Sequence, residues 1–446
     1  MTVFDTLAAR GRVLLLKDGQ VGNNVRHISR AGGSIMKSIF EGFGRAAAEG
    51  RLSRRGALRL MARGGALAGG AALAGCGPYG TFVKPDAGAA SAPPLTDAAT
   101  SAGAALGSGR TRVALIAPLT QADGPSLVGQ SLRNAAELAL SEAGESAATL
   151  IVFDDQSTPE GARAAAQQAL SQGAQIILGP LYANNVREAG RLARAANVPV
   201  IAFSTDATTA GPGVYLLSFL AESHVDRIVD FAASRGKKSF AALAPESDYG
   251  NVAVAQLQQR AAARGVRVQA IERYKAGGAL AGAQRIAGLG AQIDALFIPE
   301  QADQMQAVAQ ALASSGVDGK RVQILGTGLW NDARVLRLPQ LQGAWFAAPE
   351  NAGFNVFAGK YRAKHNSDPT RIATLAYDAM SLAAALGAQN MGFSEATLAN
   401  ASGFNGADGL FRFLANGLNE RGLSVLQVRD GATTVVSAAP RAFSGA

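Results

Sequence analysis

From Arg110 onward, short continuous apolar runs alternate with longer stretches in which apolar residues recur every three or four positions. TRVALIAPL, ATLIVFDD, AQIILGP and VPVIAFS are short and almost uniformly apolar, and they read as strands buried on both faces. Between them, SLVGQSLRNAAELALSEAG, PEGARAAAQQALSQGA and ANNVREAGRLARAAN carry the period of amphipathic helices. A second series follows, with SFAALAP, VRVQAIE, DALFIPE and VQILGTG as strands and helices expected after Asp248, Leu280 and Gln301. Strand, helix and strand in alternation make an α/β fold of parallel sheets covered on both faces. Two such series in roughly 340 residues exceed what one core normally holds, so two lobes are expected.

Upstream of Arg110 the periodicity is lost. Residues 77–109 are dominated by Pro, Ala, Gly, Ser and Thr and read as a disordered tether, with a root-mean-square reach on the order of 30 Å. Before it, Arg51, Arg54, Arg55, Arg59 and Arg63 form a basic segment, Ala66 to Leu73 a mildly apolar one, and Leu73-Ala74-Gly75-Cys76 a small-residue end. That order is an export leader, and its apolar run falls short of the ~20 residues a spanning helix needs. The last four residues resemble a bacterial lipobox, which implies lipidation of Cys76, the single cysteine of the chain, as the first residue of the mature protein. Ser53 to Arg59 resemble a twin-arginine motif with Ala57 in place of the usual Phe. Residues 1–35 fit no signal pattern, so the reading places the true start at Met36, with a functionless extension as the alternative. Gly77 after the cysteine matches the pattern that directs many Gram-negative lipoproteins to the outer membrane.

Charge then changes meaning. The whole chain is +9, but residues 1–76 hold 12 Lys/Arg against 4 Asp/Glu, leaving 30 against 29 in the remainder. The basicity belongs to the leader, and the body lacks the electrostatic footprint of a nucleic-acid binder. Enzyme chemistry has little to stand on. Of three histidines, His27 lies in the leader, and His224 and His365 have no metal-ligand spacing. There is no G-x-S-x-G elbow and no phosphate-cradling loop, and no cofactor is expected. Asp154 and Asp155 are expected to cap the helix opened by Pro159, and His224 to be a solvated or capping group.

Parallel sheets place ligands outside the carboxyl ends of their strands. There the chain reads IAPLTQ, VFDDQSTPEGA, ILGPLYANNV, VPVIAFSTDAT and ESDYGN, with a late AYDAM. In this order and spacing the segments resemble the type I periplasmic solute-binding proteins of the Leu/Ile/Val-binding kind. ILGPLYANNV with VYLLSF, TGLWND and FNGADGLFRFLANG further resembles the penicillin-binding protein activator lipoproteins, which share that fold. The resemblance implies two Rossmann-like lobes joined by three crossing strands and closing on a ligand. The crossings are expected near Phe219, near Pro349 and within 412–422. Lobe one would span about 110–219 and 350–411, and lobe two about 220–349 and 412–446.

Carried over position by position, the resemblance assigns ligand contact to Ala183 and Asn184 in one turn and to Ser204, Thr205 and Asp206 in the next. The first turn departs from the family, which usually offers serines there. Asp206 would meet a ligand ammonium or simply cap a helix. Tyr249 would cover the ligand from the second lobe or pack at the hinge. Glu300 would read a cationic or amide end of the ligand or cap the helix starting near Ala302, and Trp330 would line the cleft or anchor a lobe core. Two functions follow. One is a lipid-anchored periplasmic receptor that passes an amino acid or similar small polar solute to an ABC permease. The other is an activator that docks on a peptidoglycan synthase.

Overall fold

The computed structural model describes residues 105–443. The leader, Cys76 and residues 77–104 lie outside them.

The first sheet contains β1 (Ala105–Leu106), β2 (Arg112–Ala117), β3 (Thr149–Asp154), β4 (Ile176–Leu178), β5 (Val200–Ala202) and β6 (Val214–Leu216). Their order is β1-β3-β2-β4-β5-β6, parallel apart from β1. Because side chains alternate across a strand, Val113, Leu115 and Ala117 enter one core while Ala114 and Ile116 enter the other. Helix α1 (Leu127–Ala143) covers the first face through Leu132, Ala135 and Ala139. Helices α2 (Pro159–Ser171) and α3 (Ala183–Ala195) cover the second through Ala165, Ala166, Val186 and Ala189.

After α4 (Ala221–Ser234), the second series supplies β7 (Ser239–Pro245), α5 (Asp248–Ala263), β8 (Arg267–Tyr274), α6 (Ala279–Gly288), β9 (Ala295–Phe297), α7 (Met305–Ser314), β10 (Gln323–Gly326), the short α8 (Ala333–Leu336) and β11 (Trp345–Ala348). The chain then returns to the first core with α9 (Asn351–His365), α10 (Ala373–Ala388), α11 (Glu395–Leu398) and a small sheet of β12 (Phe404–Gly406), β13 (Gly409–Phe413) and β14 (Asn419–Arg421). It finishes with β15 (Ser424–Arg429) and β16 (Ala432–Ser437), which complete the second sheet in the order β8-β7-β9-β10-β11-β15-β16. The first five strands of that sheet are parallel and the last two antiparallel. The expected α/β architecture of two parallel-rich sheets is present.

The chain passes between the two sheet systems at 217–220, at 349–350 and at 422–423. These passages are tied to one another. Asn419 Nδ2 and Arg421 Nε both donate to the Ser218 carbonyl at 3.0 Å, Ser424 Oγ donates to Glu350 at 2.6 Å, and Arg227 Nε donates to the Leu423 carbonyl at 2.8 Å.

One feature departs from the tether expected over 77–109. Ala105 and Leu106 pair with Ile151 and Leu150, so the ordered sheet begins before Arg110. Gly107, at φ +81°, turns the chain where a side chain would collide with the Ala148 carbonyl. A two-residue strand has no periodicity to read. Among the described residues no helix is long and apolar enough to cross a membrane.

Candidate functional site

In the first lobe the strand-end turns are held by acidic side chains. Asp154, at the end of β3, accepts from the Leu119 and Thr120 amides at 3.0 and 3.2 Å, from the Thr120 hydroxyl and from the Gln156 amide at 2.8 Å. Asp155 is fully buried and accepts from the Ser157 amide at 2.9 Å, and burial pushes its pKa up to about 6. Neither caps α2 as expected. Thr158 does, accepting from the Gly161 amide at 3.0 Å, because it immediately precedes Pro159 at the first helical position.

Ala183 is the first residue of α3, and no side chain caps that helix. Asn184 is exposed, and its Oδ1 accepts from Arg187 Nη1 at 2.7 Å. Arg187 Nη2 reaches across to the next turn, 2.6 Å from Asp206 Oδ2 and 3.0 Å from the Thr208 hydroxyl. Asp206 also caps the short turn Ala207–Thr209 by accepting from the Thr208 amide at 2.9 Å. Hydrogen bonds from Thr208, with Arg187 beside it, hold the Asp206 carboxyl below its ordinary range. Asp206 is thus both a cap and an ion-pair partner. Ser204 is buried and accepts from the Asp206 amide at 3.1 Å, and Thr205 faces solvent.

Across in the second lobe, Tyr249 sits in the first turn of α5, which Ser247 caps. Its hydroxyl donates to Thr327 Oγ1 at 3.0 Å, and burial pushes its pKa up to about 12. The next residue, Gly328, donates its amide to His224 Nδ1 at 3.0 Å, and a side chain there would run into the imidazole. His224 is therefore neither solvated nor a cap. It is buried, its pKa is driven down to about 3 by burial and then by Arg421 and Arg371, and its Nε2 has no partner. Glu222, two residues earlier in α4, also has a buried oxygen without a partner. Burial raises its pKa, with Asp226 and Asp206 adding to the effect, and Glu222 in turn raises that of Tyr249. Asp206, Glu222 and Tyr249 therefore share one electrostatic neighbourhood that draws on both lobes.

Glu300 and Trp330 lie deeper. Both Glu300 oxygens are filled, by the Tyr274 hydroxyl at 2.6 Å and the Gln301 amide at 2.7 Å. Helix α7 starts only at Met305, so Glu300 does not cap it. Trp330 has no exposed surface and packs in the second-lobe core against Phe346, with Gly326 directly beneath its indole. Glu222, His224 and Thr327 were not singled out as site residues from the sequence, since nothing local distinguishes a helix-start acid or histidine from an ordinary one. Among the described residues no cluster of His, Cys, Asp or Glu is arranged to hold a metal ion.

A family model described as periplasmic binding protein matches residues 110–433. No curated protein matches the sequence. Among solved structures, a leucine-binding protein from Thermotoga maritima is 18% identical with a TM-score of 0.54, over 74% of this chain and 98% of that one. A Streptococcus pneumoniae branched-chain amino acid transporter substrate-binding protein, in complex with isoleucine, is 18% identical with a TM-score of 0.54, over 74% and 99%. An ABC-transporter solute-binding protein from Rhodopseudomonas palustris, in complex with 3,4-dihydroxybenzoic acid, is 21% identical with a TM-score of 0.55, over 74% and 98%. At these identities the likeness establishes a shared fold. With the family match running through both sheets, the chain belongs to the periplasmic binding proteins, a family of receptors rather than enzymes.

Proposed function

We propose that the chain is a lipid-anchored extracytoplasmic receptor that takes an amino acid or similar small polar acid between its lobes and presents it to an ABC permease. The observation that carries the reading is the periplasmic binding protein match over residues 110–433, which takes in both lobes. The uncapped start of α3 at Ala183 and Asn184 suits a carboxylate, through free first-turn amides and the helix dipole. Ser204 and Thr205 line the adjacent turn, the unpartnered Glu222 oxygen suits a cationic or hydroxyl group, and the Tyr249 ring supplies an apolar cover. Glu300 and Trp330 act from behind, stiffening the second-lobe wall. Similar folds hold isoleucine and 3,4-dihydroxybenzoic acid, both small acids.

The test is titration calorimetry on the full chain in detergent, refolded to strip carried ligand, with amino acids and aromatic acids. Asp206→Ala or Tyr249→Ala is expected to weaken the bound solute at least about tenfold, or about 1.4 kcal/mol. Unchanged affinity in both removes those residues from the site. Anchoring through Cys76 predicts that Cys76→Ser releases the protein from membranes. A second reading, activation of a peptidoglycan synthase, is favoured by the Arg187 contacts that already occupy Asn184 and Asp206. It predicts that the chain captures and stimulates a purified synthase without any solute.

A further inference from the structure

The parallel strands of the second sheet all begin at one pole of their lobe, away from the cleft, and the loops that enter them are rich in cations. Arg235, Lys237 and Lys238 lead from α4 into β7, Arg267 opens β8, and Lys320 and Arg321 lead into β10. Hydrogen bonds tie these loops into one row. The Arg267 amide donates to the Lys238 carbonyl at 2.9 Å, Asp294 accepts from the Lys238 and Ser239 amides at 2.9 and 3.1 Å, and the Gln323 amide donates to the Asp294 carbonyl at 3.0 Å. All of these cations are exposed except the half-buried Lys237.

The acids nearby do not neutralise the row. Asp230, near the end of α4, is held by Arg260 and Arg264. Asp294 is committed to backbone amides, and Asp318 turns Oδ1 onto the Lys320 amide at 2.9 Å. Arg235 lies over the Phe231 ring at 4.9 Å, and among the described residues no cation of the row forms an ion pair. At the cleft end of the same sheet the balance reverses, with Glu246, Asp248, Glu300, Asp303 and Asp332 against Arg273, Lys275 and Arg334. Residues 77–446 hold 30 Lys/Arg against 29 Asp/Glu, so the basic pole reflects charge separation rather than excess.

Such a separation orients the lobe toward an anionic surface. Neighbouring strands stand ~4.8 Å apart, so the row spreads its charges along a broad front instead of enclosing one small anion. None of the large exposed apolar side chains lies in the row, which suits contact without insertion. Strand β1 runs antiparallel to β3 and is therefore entered from the cleft end of the first sheet. The reach expected of the tether, on the order of 30 Å, matches the ~25 Å that the eight residues of β8 span from pole to cleft.

We propose that the basic pole of the second lobe docks on anionic lipid headgroups of the membrane that carries the anchor. The inference takes the anchor from the proposed receptor and requires nothing of its ligand. Docked in this way, the cleft stands about one strand length above the lipid. The attraction acts only within a Debye length of the surface, so the contact is sensitive to salt.

The lysines of the row serve as reporters. The full chain with Cys76→Ser, alone or with Arg235→Glu, Arg267→Glu and Arg321→Glu together, is sparsely acetylated on phosphatidylglycerol or phosphatidylcholine vesicles, and each lysine is scored by mass spectrometry. The basic leader brings both forms to phosphatidylglycerol, so only local differences count. Lys237, Lys238 and Lys320 are expected to react at least about threefold more slowly on phosphatidylglycerol than on phosphatidylcholine, and to regain their rates in about 0.5 M salt and in the folded triple variant. Lys275 at the cleft end and Lys364 in the first lobe should react alike throughout. Equal rates on both lipids, protection that survives the triple variant, or equal protection of Lys275 and Lys364 overturns the assignment. Protection by soluble polyglutamate but not by vesicles overturns it in favour of an acidic protein. If the triple variant does not fold, the lipid and salt comparisons decide on their own. No arm contains a solute, so failure here leaves the receptor reading standing.

Discussion

Trp330 and Gly326 offer a test of where the indole sits. An alanine methyl at Gly326 would lie inside the contact distance of indole Cδ2, Cε2 and Cε3, and the ring has no exposed surface into which to retreat. Overpacking of that kind costs about 1–3 kcal/mol. Trp330→Ala removes the ring from the core it shares with Phe346 and should cost about 3–5 kcal/mol. In that background the methyl meets open space, and Gly326→Ala should become neutral, or stabilising by about 0.4–1 kcal/mol through the unfolded chain. The double mutant should therefore fall short of the sum of the single costs by about 1–3 kcal/mol. Guanidinium unfolding of the full chain, followed by circular dichroism with unchanged m-value, reads each step. Additivity within about 0.5 kcal/mol would refute the packing. Trp330→Phe should cost far less than Trp330→Ala, because it deletes an indole N–H that is buried without a partner.

Three further outcomes follow from single groups. Asp378, with a folded pKa of about 7, binds its proton more tightly than the unfolded chain does, so its contribution is complete below pH ~4 and is lost as pH rises to ~7. Asp378→Asn should flatten that decline in a series of denaturation midpoints, and an unchanged profile would show that Asp378 is not its source. His224 acts in the opposite sense, since its pKa is lowered to about 3, and the stability of keeping it neutral is lost as pH falls below ~6.5. His224→Gln, which can still accept from Gly328, should lessen acid destabilisation between pH 6 and 4. Thr158→Ala should cost about 1 kcal/mol by uncapping α2, whereas a loss below about 0.3 kcal/mol would mean the cap is not used.

Much of the fold was legible because it depends on patterns that repeat. RVALIA places alternate side chains in two cores, and the periodicity of α1 gives its buried face directly. The Ala105–Leu106 strand was illegible, since two residues cannot show a period and their partners lie some forty positions away. The site divides along the same line. Strand-end turns could be read, but not which side chains they commit. Asn184 and Arg187 are neighbours on a helix, yet the reach of Arg187 to Asp206 depends on how α3 and the β5 turn come together. Glu300 looks free beside DALFIP until Tyr274, from another strand, fills it. Arg421, Asp378 and His224 come from three distant segments; Asp378 stands in a helix apolar on every face, but nothing local marks Arg421 or His224 as buried.

The route of the chain also governs how it can be made. The two lobes are interleaved along the chain, and the last two strands of the second, β15 and β16, are synthesised after every other described element. A ribosome that has reached Ala348 has produced two open half-cores, one lacking α9, α10 and the β12–β14 sheet, the other lacking its antiparallel edge. Neither lobe can be released by cutting the chain once, and neither can finish folding before residues 351–437 arrive. The maturing protein therefore completes both lobes together, late, through contacts of long sequence separation, which favours slow folding and prolonged exposure of apolar strand edges.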